Sequence, residues 1–153
     1  MARSDRVDAT TPRSLTHPVR LELVHEQGTV EMVAAELHYD ARDPYAVRAT
    51  FWAAEGPVVW DLARDLLDDG LNEPSGDGDV HVWPCVGNRG QAVVVLELGS
   101  PDGWVMLQVE AREVMRFLAG THRLVEPGTE SAHVDVDALV AALLAPTAEG
   151  QQG

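Results

Sequence analysis

Few residues in this 153-residue chain could do chemistry: six histidines, one cysteine, and 25 carboxylates set against 11 basic groups. His17, His25, His38, His81, His122 and His133 never pair at metal-ligand spacing, and no HExxH segment occurs, so a zinc centre finds no support. Cys85 follows Trp83-Pro84 at a strand end, and a reactive thiol there needs a cationic neighbour, for which Arg89 is the only candidate. A loop cysteine without a task is the simpler reading. No Gly-x-Ser-x-Gly elbow is present, and the carboxylates cannot be paired across a cleft from sequence alone. The PSGDGD stretch at 74–79 lacks the ligand ladder and terminal Glu of a calcium loop. Gly76 and Gly78 do not lead from a strand into a helix, as a phosphate cradle requires. The expectation is a protein with no catalytic residue, no metal and no cofactor.

Recognition groups are more informative. Trp52 and Trp83 alternate on their strands with Phe51 and Val82, so each indole falls on the face opposite a core position. Arg48 shares the face of Trp52, and Arg89 sits in the loop that follows Trp83. If helices cover one face of the sheet, these side chains lie on the other. There they meet a subunit or protein partner, or pack beneath long neighbours and the terminal helices. Arg48, Trp52, Trp83 and Arg89 are therefore the candidate partner or oligomer surface. Trp60 and Trp104 read as core or sheet-edge residues.

The elements that must position them follow from hydrophobic period. Residues 37–60 read as strand, turn at Asp43-Pro44, strand, turn at Gly56-Pro57 and strand, with Val47, Ala49 and Phe51 on one face. Residues 19–24 and 31–39 supply two earlier strand segments, and 57–60 a short fourth strand. Asp61 reads as the N-cap of a helix carrying Leu62, Ala63, Leu66 and Leu67 and stopping at Gly70. Strands at 80–84, 92–98 and 104–109 follow, with 74–79 and 85–90 as loops. Ala111, Val114, Met115 and Leu118 form a helical stripe, 126–128 break it, and a second apolar stripe runs from Val136 to Leu144. This predicts an α+β domain over 19–146, a curved antiparallel sheet of about seven strands with helices on one face. Residues 1–18 read as a disordered extension and 147–153 as a frayed tail.

The formal charge is −14, and every basic residue is an arginine with none in a run. Phosphate backbones are repelled by such a surface, which argues against nonspecific DNA or RNA binding. A single cysteine suits a reducing compartment, and neither a spanning apolar run nor a signal-peptide core occurs. Cytoplasmic location is expected.

Taken in order, LHYDARDPYAVRATF (37–51), WDLARDLLDDGL (60–71), PSGDGDVHVWP (74–84), SPDG (100–103), a helix around 113–118 and VEPGTE (125–130) resemble the SsgA-like proteins of sporulating actinobacteria. The resemblance spans about 19–145. It implies a fold close to the Whirly single-stranded-DNA-binding proteins, strands-helix-strands-helix, assembled as a homotrimer. It also implies a noncatalytic adaptor that tunes septum assembly and cell-wall remodelling, with FtsZ as partner directly or through another SsgA-like protein, recruited to the cell septum. The chain departs from the family pattern in its long N-terminal segment, in the CVGNRG loop at 85–90 and in Trp104 and Met106. The alternative, drawn from the same fold, is single-stranded nucleic-acid binding with Trp52 and Trp83 as stacking platforms.

Overall fold

The structure, a computed structural model, describes residues 13–134 and 136–144. Alternation of apolar and polar residues builds the strands β1 (Ser14–Val24), β2 (Val30–Asp40), β3 (Ala46–Ala53) and β4 (Gly56–Ala63). After helix α1 (Arg64–Gly70) come β5 (Ser75–Asp77), β6 (Val80–Val86), β7 (Ala92–Ser100) and β8 (Gly103–Glu110). Helix α2 (Ala111–Leu124), a short 3-10 turn (Glu130–His133) and helix α3 (Val136–Leu144) complete the chain. The eight strands form one antiparallel sheet in the order β4-β3-β2-β1-β8-β7-β6-β5. The fold is α+β, as expected, with one strand more than expected: β5 lies within the segment read as a loop, and three residues give too short a period to see.

Two further boundaries differ from the sequence reading. β1 begins at Ser14, so 14–18 belong to the sheet and not to an extension, their ladder with β2 running from Ser14↔Asp40 onward. The rest of the expected extension, residues 1–12, and the tail from 147 lie outside the described residues. Asp61 does not cap a helix. It stays in β4 opposite Arg48, and Leu62 and Ala63 continue the ladder with β3 before α1 starts at Arg64. The cross-strand ion pair with Arg48 takes up the Asp61 carboxylate that a cap would have offered to the backbone.

The sheet is two four-stranded halves joined by a short seam. β1 pairs with β8 only from Glu22↔Gln108 to Val24↔Met106, and towards Ser14 the two strands separate. One face of both halves is apolar: Val19, Leu21, Leu37, Val47, Phe51, Leu62, Val82, Val94, Leu96 and Leu98 form a continuous core. Helix α2 presents Val114, Phe117, Leu118 and Thr121 to it, whereas Met115, read from sequence as part of the stripe, is exposed. Phe117 at i+3 from Val114 takes the place assigned to Met115. Gly70 closes α1 against β6 so tightly that a Cβ there would overlap the Val82 side chain.

The centre of this core holds a charge. Arg64 is 1% exposed, and its guanidinium lies 5.1 Å over the Tyr39 ring. Its Nη1 donates to the carbonyls of Thr121 (3.2 Å) and Val125 (2.8 Å) at the C-terminus of α2, where a cation also meets the favourable end of the helix dipole. Its Nη2 donates to Glu130 Oε2 at 2.7 Å, and Glu130 Oε1 accepts the Gly128 backbone N–H at 3.0 Å. Burial pushes the Tyr39 phenol up to about 12, so it stays neutral and donates to the Pro44 carbonyl at 2.9 Å. The Arg64 hydrogen bond holds the Glu130 carboxyl below the usual glutamate range.

Removing one partner of a buried pair leaves an uncompensated charge. Arg64→Met is expected to lower unfolding free energy by about 3 kcal/mol in urea titrations, and Glu130→Gln by less, because the amide still accepts from Arg64. The pH dependence has a definite sign. A carboxyl whose pKa is depressed by folding stabilises fully above its unfolded value, about 4.3, and loses that contribution as pH falls through the folded value. Melting curves of the wild type and Glu130→Gln should therefore differ at neutral pH and converge in acid.

Candidate functional site

All four sequence-predicted surface residues lie on the face of the sheet that α1 and α2 leave bare. Arg48 pairs across the ladder with Asp61, Trp52 with Pro57, and Trp83 with Val95, each one position out of phase with the core residues. Arg89 belongs to the β6–β7 loop at the end of the same face. The structure does not gather them into one site. They line three separate depressions.

Trp52 and Arg89 share the largest, a cavity of about 580 Å³ in the cleft where β1 leaves β8. Arg20 and Glu36 flank it from β1 and β2, Gln108 from β8, and Glu113 of α2 also borders it. His17 Nε2 lies 2.9 Å from Glu113 Oε1, and this hydrogen bond lowers the Glu113 pKa. Trp52 is 48% exposed, and Met32 beside it is equally open, so the cleft offers apolar surface between charged walls.

Arg48 lies in a second depression near the outer edge of the sheet, and its charges are already matched. Its Nε and Nη2 reach the two carboxylate oxygens of Asp61 at 2.9 and 3.3 Å, and the pairing lowers the Asp61 pKa. Arg42 donates to Asp40 in the same way and holds that carboxyl at about 2. This end of the face satisfies itself.

Trp83 occupies a third depression of about 300 Å³ with Ser75, Gly76, His81 and Glu97. Beside it lies Trp104, which sequence reasoning placed in the core or at a sheet edge and which is instead 53% exposed on this face. Its ring crosses β7 above Gly99 and meets the His81 ring at 5.8 Å and 34°. Gly99 stands directly across the ladder from Trp104 and leaves the space for the indole. A glycine opposite a tryptophan in an otherwise apolar strand pair was the signal available in the sequence. Trp60 is partly buried against the core.

Among the described residues, no group of three or more His, Cys, Asp or Glu side chains could hold a metal ion, and no helix is long and apolar enough to cross a membrane. Cys85 is exposed. The geometry defines a curled antiparallel domain with one face closed by helices and the opposite face bare, aromatic and indented. Residues 33–130 match the family described as Streptomyces sporulation and cell division protein, SsgA. The sporulation-specific cell division protein SsgB of Streptomyces coelicolor is 46% identical over 128 residues, covering 83% of this chain and 93% of that protein. SsgB of Kineococcus radiotolerans is 45% identical over 127 residues, covering 82% and 77%. Among solved structures, an SsgA-like sporulation-specific cell division protein from Thermobifida fusca superposes with a TM-score of 0.78 at 34% identity over 88% of this chain and 98% of that one. A second, described under mutations in SsgB that correlate with longitudinal cell division during sporulation of Streptomyces coelicolor, gives 0.75 at 45% identity over 78% and 94%. The chain belongs to the SsgA family of sporulation and cell-division proteins.

Alanine at position 99 puts a methyl group 2.7 Å from ring carbons of Trp104. The indole is half exposed and can swing away, so Gly99→Ala should cost only about 1 kcal/mol. It should abolish the ring-current shift of the His81 side-chain protons. An unchanged His81 proton spectrum would contradict the placement of Trp104.

Proposed function

We propose that this protein is a noncatalytic adaptor in sporulation-specific cell division. It works through protein contacts on its bare sheet face to place or tune septum assembly and cell-wall remodelling. FtsZ is the partner, reached directly or through another SsgA-like protein, and the adaptor is a homotrimer recruited from the cytoplasm to the septum. The observation that carries this reading is the family's role in sporulation and cell division, joined to three half-covered indoles, Trp52, Trp83 and Trp104, on one sheet face. Large aromatics left open on a sheet face are typical anchors for a protein partner. The charge of −14 favours such a role over nucleic-acid binding, which depends on clustered cations.

In sporulating cells a fluorescent fusion should appear as foci or rings at future septa together with FtsZ, and Trp52→Ala combined with Trp83→Ala should disperse it while leaving the melting temperature nearly unchanged. Diffuse signal from the wild-type fusion would remove the division role. Titration with single-stranded oligonucleotides at low salt, where electrostatic attraction is strongest, should give no binding. Saturable binding there would put the stacking alternative in its place.

A further inference from the structure

The third depression has a chemistry of its own. Glu97 lines it, directly across the ladder from His81 on one side and Met106 on the other. Trp83 lies one step along the face on β6 and Trp104 one step the other way on β8, so an indole stands at one diagonal from the carboxylate on each neighbouring strand. The Glu97 side chain is only 31% exposed, yet it accepts no hydrogen bond among the described residues. Its nearest cationic candidate, His81 Nδ1, is 3.7 Å away, beyond hydrogen-bond reach, and that nitrogen is itself buried without a partner. Asp40 and Glu113, carboxylates of similar exposure, each accept a hydrogen bond from a basic side chain. Glu97 has no such donor among the described residues, and an indole flanks it on each neighbouring strand.

The side is also shaped from backbone that cannot retreat. Gly76 of β5 pairs with His81, and a Cβ at that position would fall 2.9 Å from the His81 Cα. Its φ of 116° belongs to a region that side-chain-bearing residues rarely adopt. The edge strand thus brings bare main chain against His81 and keeps the slot open beside Trp83.

We propose that this slot receives one guanidinium group, an arginine side chain carried by a segment of a protein partner. This rests on the reading of the bare sheet face as a partner surface. The planar cation stacks on the indole of Trp83 and donates to the Glu97 carboxylate, giving that oxygen the donor it lacks among the described residues. Charge complementarity selects the occupant: the slot's one formal charge is negative, and the whole chain carries −14. The cleft at Trp52 has a different character, since Arg20 and Arg89 stand among its carboxylates.

The test follows the four tryptophan indole N–H signals by NMR during titration with the tripeptide acetyl-Gly-Arg-Gly-amide, against the same peptide carrying neutral citrulline. Saturable shifts of the Trp83 and Trp104 signals are expected with arginine, with Trp52 and Trp60 unmoved and citrulline at least about tenfold weaker. Glu97→Gln should erase the preference for arginine, and Trp83→Leu should weaken binding of both peptides, each variant first checked for an unchanged melting temperature. The proposal is overturned if the two indoles stay still, if citrulline binds as well as arginine, or if Glu97→Gln keeps the preference. It is equally overturned if the disaccharide chitobiose moves the same two signals in place of the peptide. Septal localisation of the wild-type fusion separates the two readings: a silent slot in a septal protein refutes the slot alone, and an active slot in a diffuse protein refutes the division role alone.

Discussion

The buried Arg64 guanidinium is the constraint around which the domain is arranged. Carried on α1, it stands where the Tyr39 end of β2, the C-terminus of α2 and the segment around Glu130 meet, and it bonds to the last two while stacking on the first. A charge so placed is expensive to desolvate, and its neighbours answer it with helix carbonyls, a carboxylate and an aromatic face. Its remaining donor, Nε, has no partner among the described residues. Because the donors point in fixed directions, the cluster dictates where the chain must run after α2. An apolar side chain of similar volume fills space without specifying that path.

This cluster also marks the limit of what one sequence reveals. Period-two alternation exposed β3 and β6, a continuous apolar run exposed β7, and the 3.6-residue stripe exposed α2, because those patterns are local. Arg64 sits among the aspartates Asp61, Asp65, Asp68 and Asp69, and its partner Glu130 lies 66 residues further on. Nothing in either neighbourhood announces the other. Asp61 shows the converse failure: its local preference to cap a helix was readable, and a cross-strand arginine overrode it. The order of motifs carried the family assignment, and hydrophobic period had already given the α+β sheet to which it belongs.

For the candidate surface, the sequence supplied the face but not its partition. Alternation with Phe51 and Val82 placed Trp52 and Trp83 away from the core, as observed. That Arg48 is neutralised by Asp61, that Arg89 joins Trp52 in the cleft, and that Trp104 lies over Gly99 all depend on register between strands. Register is settled by the whole sheet at once, and no window of sequence contains it.

The seam between the two half-sheets bears on how the chain finds this structure. Within β1–β4, and again within β5–β8, each strand pairs with the next across a short turn. Among the described residues, distant parts of the chain are joined by the three β1–β8 pairs at Glu22 to Val24, the packing of α2 and the Arg64 contacts. Loop-closure entropy is therefore concentrated in one late docking step between two meanders that assemble from local contacts. Until that step, the inner edges of β1 and β8 are both open templates for foreign strands. Pro18 on β1, which has no N–H to offer, makes its edge a poorer template during that interval.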